Sequence, residues 1–306
     1  MRTTTWGRTG LPVSRIGFGT RQLGGDWGVF AEDEVKAAIR RARELGVTIF
    51  DTAQAYGFGA SERLIGSAPR DELRRNRDEL VIAAKGGLRR TDTGVTRDAG
   101  PRALREGVDA SPTALGIDHI DLYQVHRPDP KVRFADTGGA LKELVDSGRI
   151  RHVGTSNVNA EQMAEFSRTL PVETLQPPYH LFRREIEDTV LPHTRQHDIG
   201  VLVYGPLAHG LLTGPLTGET TFPADDWRSK SGVFKGETCR RNLTVGSELE
   251  RFAASHAMTV SQLTISWALA HPHVHVAIVG TRHPAPGTRH ADHAEDGLAA
   301  AGITLG

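Results

Sequence analysis

The chain has 306 residues, of which 38% are hydrophobic and 24% are charged, so it is long enough to bury a large core. Its 37 basic and 37 acidic side chains cancel, and the sequence pI is near 7.3. A chain without net charge lacks the electrostatic footprint that nucleic-acid-binding proteins carry, so we predict no nucleic-acid partner.

The cysteine content and the N-terminus indicate the compartment. Cys239 is the single cysteine, so an intramolecular disulfide is impossible and a reducing interior is expected. The first ten residues contain no apolar segment of the kind found in signal peptides, and no stretch approaches the ~18 consecutive apolar residues of a membrane span. These features predict a cytoplasmic protein that does not enter a membrane.

Eight short apolar runs, each bounded by Gly, Pro or Asp, predict β-strands because they are rich in Val, Ile, Leu and aromatic residues. In chain order they are Arg15–Gly19, Thr48–Asp51, Leu80–Lys85, Ile120–His126, Ile150–Gly154, Val172–Gln176, Ile199–Tyr204 and Val274–Gly280.

Segments with apolar residues at helical spacing lie between these strands. The predicted helices are Ala31–Leu45, Ser61–Ile65, Arg102–Leu115, Phe134–Asp146, Asn159–Leu170, Glu185–Gln196, Gly246–Ala257 and Val260–His271. The segment Thr213–Arg241 has no clear period and is long for a connection, so we interpret it as a functional excursion.

Alternation of strands and helices predicts a parallel sheet, and eight is the number of strands that closes a (β/α)8 TIM barrel. An open, doubly wound sheet is the alternative. No linker-like stretch divides the chain, so residues 1–306 are predicted to form a single domain.

Reactive side chains stand at or just after the carboxyl ends of three predicted strands, where barrel enzymes place their active sites. They are Asp51, Tyr56, Lys85 and His126. A free tyrosine has a pKa of ~10 and is a poor proton donor near neutrality. A neighbouring Lys85 would lower that pKa, Asp51 would keep the lysine charged, and Tyr56 would act as general acid to a carbonyl oxygen. We expect His126 to orient the carbonyl or share the proton.

The pattern Asp51-Thr-Ala-x-x-Tyr56-Gly, followed by Lys85 and His126, resembles the catalytic tetrad of the aldo-keto reductases. This resemblance implies a (β/α)8 barrel that reduces aldehydes or ketones with NADPH, with a small carbonyl compound as substrate. The segment that begins at Trp6 and ends at Ser14 resembles the N-terminal β-hairpin that closes the bottom of the barrel in this family.

The same resemblance implies a site for NADPH or NADP+. Ser156, Asn157 and Gln176 resemble the residues that bind the nicotinamide carboxamide, and Tyr204 resembles the aromatic residue that stacks on the nicotinamide. The further cofactor-binding positions that it implies are Gly19, Thr20, Gly205, Pro206, Leu207, Gly210, Gly280, Thr281, Arg282, Arg289 and His293.

The loop expected to bind the 2′-phosphate occurs twice, as Gly280-Thr-Arg282-His and again as Gly287-Thr-Arg289-His. The first copy directly follows the last predicted strand, while the second precedes His293, which resembles a residue near the adenine. Arginine suits phosphate through its bidentate geometry, which favours NADPH over NADH. Arg282 is preferred by its position, and Arg289 remains an alternative.

Several other interpretations stay open. Asn157 or Asn159 could cap the helix that follows, an NADPH-binding sensor with little turnover is the alternative function, and a Schiff-base lyase with Lys85 as nucleophile is a third. Alternate histidines from His271 to His275 could in principle bind a metal, but no acid or cysteine joins them locally. We interpret them as surface residues and predict no metal site.

Two arginines depart from the family pattern. Arg127 follows His126, and Arg21 stands near the exit of the first predicted strand; both are positions where an aromatic residue is common in relatives. They could favour an anionic or polar substrate, or they could be surface arginines paired with acids. The physiological substrate and the oligomeric state are not predicted by the sequence.

Overall fold

The computed structural model of the protein describes residues 1–25, 31–68, 73, 75–214, 216–224, 226–280 and 296–305. Its strands, in chain order, are β1 (Thr3–Thr5), β2 (Pro12–Ser14), β3 (Ile16–Gly19), β4 (Ile49–Asp51), β5 (Val81–Gly86), β6 (Leu88–Thr91), β7 (Gly94–Arg97), β8 (Ile120–Val125), β9 (Ile150–Ser156), β10 (Thr174–Gln176), β11 (Gly200–Tyr204) and β12 (Val276–Gly280).

Eight of these strands form a closed barrel in the order β3-β4-β5-β8-β9-β10-β11-β12, and β12 pairs with β3 to complete the ring. All eight pairings are parallel. The predicted (β/α)8 TIM barrel is therefore confirmed, and the open doubly wound sheet is excluded, because a sheet of that kind leaves two unpaired edges.

Helices follow the barrel strands, as the crossover between parallel neighbours requires. The longer ones are α1 (Glu32–Glu44), α2 (Ala60–Ser67), α3 (Pro101–Leu115), α4 (Phe134–Asp146), α5 (Ala160–Phe166), α6 (Val190–Gln196), α7 (Gly236–Ser255) and α8 (Val260–Ala270). Among the described residues, no helix is both long enough and apolar enough to cross a bilayer.

The strands β1 and β2 pair antiparallel and form the predicted N-terminal hairpin. Between them Trp6 is fully buried, in one apolar cluster with residues from the barrel interior such as Ile49, Val81 and Val276. All three begin their strands, at the end of the barrel opposite the carboxyl ends. The hairpin therefore closes the bottom of the barrel, as expected.

Several predicted helix boundaries were wrong. The helix α7 begins at Gly236, ten residues before the predicted start at Gly246, inside the segment that we had interpreted as an excursion. The helix α5 ends at Phe166 rather than Leu170. The predicted helix Glu185–Gln196 is divided into a 3-10 turn over Glu185–Glu187 and the helix α6.

The hairpin formed by β6 and β7 was not predicted. It lies between β5 and α3, and its four residue pairs run from Leu88 opposite Arg97 to Thr91 opposite Gly94. The strand β7 is exposed throughout, so it lacks the alternation of buried and exposed residues that predicts a strand.

We expect Trp6→Ala to lower the free energy of unfolding by about 3–5 kcal/mol, because it removes the largest fully buried side chain among the described residues and leaves a cavity at the bottom of the barrel. Urea denaturation monitored by circular dichroism would measure the change. The control is Thr3→Ala, an exposed position in β1 of the same hairpin. Equal stability of the two variants would contradict the role of Trp6 as the bottom plug.

Candidate active site

Most of the predicted site residues end a barrel strand or directly follow one. Asp51, Ser156, Gln176, Tyr204 and Gly280 are the last residues of their strands, and so is Gly19. Because all eight strands are parallel and form one ring, their carboxyl ends meet at a single rim. The closed barrel thus brings together residues that are far apart in the sequence.

Lys85 connects several polar groups at this rim through its ammonium group. Its Nζ donates hydrogen bonds to Asp51 Oδ1 at 2.6 Å and to the carbonyl oxygen of Thr52 at 2.9 Å. The same atom lies 3.4 Å from the hydroxyl oxygen of Tyr56. The Lys85 side chain is 0% exposed and that of Asp51 only 4%, so the ion pair lies in a water-poor interior.

The charge state of Lys85 depends on opposing effects. Burial, the largest effect, lowers the pKa of the Lys85 ammonium, but the charges of Asp51 and Tyr56 and the hydrogen bonds to them raise it. Together the attractions outweigh burial, and the pKa of Lys85 is raised above its ordinary value of 10.5. Lys85 is therefore protonated at neutral pH and serves as a fixed positive charge beside Tyr56.

The expected lowering of the Tyr56 pKa was wrong in its net direction. Burial raises the pKa of the Tyr56 phenol and is the largest effect, while the nearby Lys85 ammonium lowers it and Asp51 raises it. The net pKa is raised above 10.0 because the phenolate would lose its hydration in this site. Tyr56 thus remains a protonated phenol at neutral pH, and Lys85 stabilises the phenolate only when it forms.

His126 contacts the ring of Tyr56. The two rings meet edge to face, with their centroids 5.6 Å apart and an interplanar angle of 86°. Burial, followed by the positive charges of Lys85, Arg127 and Arg21, lowers the pKa of His126 well below 6.5. The imidazole is therefore neutral, and its buried Nδ1 has no hydrogen-bond partner among the described residues.

Gln176 connects the Lys85–Asp51 ion pair to the strands β9 and β10. Its Nε2 donates to Asp51 Oδ2 at 2.8 Å, so both carboxylate oxygens of Asp51 are occupied. Its backbone carbonyl oxygen accepts a hydrogen bond from Ser156 Oγ at 2.8 Å. The Oε1 of Gln176 makes no hydrogen bond within the described part of the chain and can accept one from a ligand.

Asn157 is not a helix cap, because Asn159 caps α5 and forms a capping box with Gln162. The side chain of Asn157 instead faces the rim. Its Nδ2 donates to Ser156 Oγ at 2.9 Å and to the backbone carbonyl of His126 at 3.1 Å. Its Oδ1 accepts a hydrogen bond from the hydroxyl of Tyr204 at 2.9 Å, which orients the half-buried ring of that tyrosine.

A buried cluster of hydroxyl groups holds the backbone carbonyl of Asp51, and this role was missed by the sequence analysis. The N–H and Oγ1 of Thr20 both donate to the backbone carbonyl of Asp51, at 3.1 and 2.9 Å. Ser61 Oγ donates to Thr20 Oγ1 at 2.6 Å and lies 3.0 Å from Thr52 Oγ1. No motif marks Ser61, and the motif that contains Thr52 does not indicate this contact, so the role of both residues is visible only in the folded structure.

The loop after β11 contains the predicted residues Gly205, Pro206, Leu207 and Gly210. Gly205 and Gly210 have φ angles of 69° and 107°, which glycine adopts without the steric cost that a Cβ would bring. Pro206 is buried and Leu207 is half-buried, so this turn is packed against the barrel. The predicted residues Thr281, Arg282, Arg289 and His293 lie outside the described residues.

The rim fits a nicotinamide cofactor in two respects. Gly19 and Gly280 lie at the ends of adjacent strands, and a Cβ on Gly19 would come within 2.6 Å of Ile278 Cγ2, so the backbone surface there is kept open only by the absence of side chains. Ser156, Asn157 and Gln176 present amide and hydroxyl groups of the kind that hydrogen-bond a carboxamide.

A closed parallel barrel with a buried lysine–carboxylate pair beside a phenol at its carboxyl rim is typical of a barrel enzyme. Sequence comparison then gives the family, because the profile of the Aldo/keto reductase family matches residues 15–301. The chain belongs to this family of oxidoreductases, which act on small carbonyl compounds.

Individual relatives agree with this assignment. The chain is 40% identical over 286 residues to the aldo-keto reductase YhdN of Bacillus subtilis, covering 93% of this chain and 86% of that protein. It is 32% identical to the aldo-keto reductase yakc [NADP(+)] of Schizosaccharomyces pombe, covering 96% and 85% of the two chains. It is 30% identical to the NADH-specific methylglyoxal reductase of Escherichia coli, covering 88% and 86%.

A solved structure shows the same fold. The glycerol dehydrogenase AKR11B4 from Gluconobacter oxydans superposes with a TM-score of 0.85 at 33% identity, covering 97% of this chain and 89% of that one.

We expect Asp51→Asn to lower the free energy of unfolding by about 3–5 kcal/mol, because it leaves the buried Lys85 ammonium without a counter-ion. Urea denaturation at pH 7 would measure the loss. The double variant Asp51→Asn with Lys85→Met removes the charge and should recover much of the stability. A double variant as unstable as the single one would show that the loss comes from contacts of Asp51 other than the ion pair.

Proposed function

We propose that this protein reduces an aldehyde or ketone to the alcohol, with NADPH as hydride donor and Tyr56 as general acid. The observation that carries this proposal is the position of the buried Lys85 Nζ, 2.6 Å from Asp51 Oδ1 and 3.4 Å from the Tyr56 hydroxyl. NADPH, when bound, supplies the hydride that reaches the carbonyl carbon.

Tyr56 completes the reduction by donating its proton to the carbonyl oxygen. Its raised pKa keeps the proton on the phenol until the oxygen gains negative charge, and the fixed ammonium of Lys85 then stabilises the phenolate. Asp51 holds Lys85 in its charged form. The neutral His126 has an unpartnered Nδ1, and we propose that its imidazole orients the substrate carbonyl through a ring N–H.

The charge state of Lys85 disfavours the alternative of a Schiff-base lyase. A lysine that attacks a carbonyl carbon must lose its proton, and enzymes of that type lower the lysine pKa. Here the pKa of Lys85 is raised, and Asp51 and Thr52 both accept hydrogen bonds from the ammonium. The lysine is therefore better suited to electrostatic support than to nucleophilic attack.

The proposed cofactor site includes the residues at the strand ends and in the loop after β11. Gln176, Ser156 and Asn157 would hold the carboxamide, and the ring of Tyr204, fixed through its hydroxyl, would pack against the nicotinamide. The relatives do not agree on the cofactor, since one is named for NADP(+) and another is NADH-specific. The proposed preference for NADPH therefore rests on Arg282 and Arg289, which would bind the 2′-phosphate. A cytoplasmic location and a single domain over residues 1–306 stay predictions.

We expect Tyr56→Phe to reduce kcat by about 10²- to 10⁴-fold with an aromatic aldehyde, because the variant lacks the proton donor. NADPH consumption followed by fluorescence would measure the rate, and a titration of NADPH fluorescence would show unchanged cofactor affinity. Tyr123→Phe is the matched control, because it removes the same atom from a buried tyrosine of β8 that lies outside the site.

Two outcomes would contradict this assignment. Turnover by Tyr56→Phe at the wild-type rate would exclude Tyr56 as the acid. NADPH binding without turnover by the wild-type protein, over a broad panel of aldehydes and ketones, would favour the NADPH-binding sensor.

We expect Arg282→Ala to raise the dissociation constant of NADPH about 10- to 100-fold and to leave that of NADH nearly unchanged, because charged hydrogen bonds to the 2′-phosphate are lost. Fluorescence titration of both cofactors would measure this. Arg289→Ala is the comparison variant and identifies which copy of the duplicated loop binds the phosphate. If neither variant distinguishes NADPH from NADH, the proposed preference for NADPH is wrong.

A further inference from the structure

Two arginines bracket the proposed proton donor on the rim. Arg21 directly follows Thr20, which stands just after β3 and donates a hydrogen bond to the backbone carbonyl of Asp51 at the end of β4. Arg127 directly follows His126, the first residue after β8. In the barrel, the order of strands is β3, β4, β5 and β8, so Tyr56 and Lys85 lie between the two arginines.

The segment that begins with Arg21 is pressed against the loop of Tyr56. A Cβ added to Gly24 would come within 2.9 Å of the Tyr56 Cα, so the two backbones are in close contact. The Arg21 guanidinium stands 5.7 Å from the ring centroid of Trp227, which lies in the long connection after β11. Arg21 is thus held between the loops at the barrel mouth while its side chain remains exposed.

The charges at this mouth are predominantly positive, although the whole chain is neutral. Within the described residues, the charged groups that act on His126 are Lys85, Arg127 and Arg21. Among the described residues, the carboxylate whose charge acts on Tyr56 is that of Asp51, which is already paired with Lys85.

Arg127 is exposed and makes no ion pair or side-chain hydrogen bond with any described residue. Arg133, at the end of the same loop, is different, because it is paired with Asp136 in the first turn of α4. A guanidinium without an acidic partner beside a reaction centre retains its five donors for a ligand. Arginine matches carboxylate and phosphate oxygens in a bidentate geometry.

We propose that the preferred substrate is an anionic carbonyl compound, an aldehyde or ketone that carries a carboxylate or phosphate group, and that Arg21 and Arg127 bind that group while Tyr56 meets the carbonyl oxygen. This inference rests on the proposed reductase function and names its substrate class. The two arginines determine specificity and take no part in proton transfer.

The test compares anionic and neutral carbonyl substrates of similar shape. One pair is 4-carboxybenzaldehyde and methyl 4-formylbenzoate, and a second pair, glyceraldehyde 3-phosphate and glyceraldehyde, distinguishes phosphate from carboxylate. For the wild-type protein with NADPH, we expect kcat/KM to be about tenfold or more higher for at least one anionic member than for its neutral partner. We also expect that advantage to shrink as ionic strength rises, because exposed charges are screened.

Substitution of the arginines then assigns the effect. Arg127→Leu and Arg21→Leu should each raise KM for the anionic substrate about 10- to 100-fold and leave kcat/KM for the neutral substrate within about threefold of wild type. Arg127→Lys should recover part of the loss, since it keeps the charge but not the planar fork. The control is Arg168→Leu, which removes one exposed positive charge between α5 and β10, at the opposite end of the barrel.

Three outcomes would overturn the inference. Equal or better use of the neutral substrates by the wild-type protein would exclude the anionic class while leaving the reductase function intact. A weaker affinity of Arg21→Leu and Arg127→Leu for NADPH, with equal losses on both substrate types, would assign the arginines to the cofactor phosphates. No reduction of any of the four carbonyl compounds would reject the proposed function itself.

Discussion

The arrangement of side chains at the carboxyl rim of the barrel depends on one buried ion pair, between Lys85 and Asp51. A charged lysine with no exposed surface is tolerable only if a counter-ion and hydrogen-bond acceptors surround it, because burial without them costs several kcal/mol. Asp51 and the carbonyl of Thr52 supply these acceptors. Gln176 and Thr20 in turn hold Asp51, so the demand for compensation organises residues from four strand ends.

This constraint also explains the electrostatics of Tyr56 and His126. Burial raises the pKa of the phenol and lowers that of the imidazole, so both groups are neutral around a lysine that stays charged. A neutral acid next to a fixed cation suits proton donation to an oxygen that becomes negative, since the ammonium acts mainly on the product phenolate. The arrangement thus favours a reaction in which negative charge forms on the phenol oxygen of Tyr56 only after its proton has been donated.

The fold alone does not establish this function, because (β/α)8 barrels carry many unrelated chemistries. Family membership identifies the protein as an oxidoreductase that acts on small carbonyl compounds. The relatives, however, are named for different nicotinamide cofactors. This chain has a cation-rich mouth, since Arg21 and Arg127 stand beside the proposed reaction centre of a protein with no net charge.

Much of the architecture was predictable because it is local in the sequence. Each barrel strand is a short apolar run with a bounded end, and the reactive residues Asp51, Lys85 and His126 stand at or next to those ends. The boundaries of α7 and the β6–β7 hairpin were not predictable in this way. The strand β7 is exposed on every residue, so burial does not impose a period on its sequence.

By itself, the sequence determined the succession of strands and helices and the residue types at each strand end, because both follow from local hydrophobic patterns and short motifs. Only the tertiary structure decided the net pKa direction of Tyr56, the contacts of Asn157 with Tyr204, and the support of Asp51 by Ser61 through Thr20. These properties depend on desolvation and on hydrogen bonds between distant segments, which exist only once the barrel has closed.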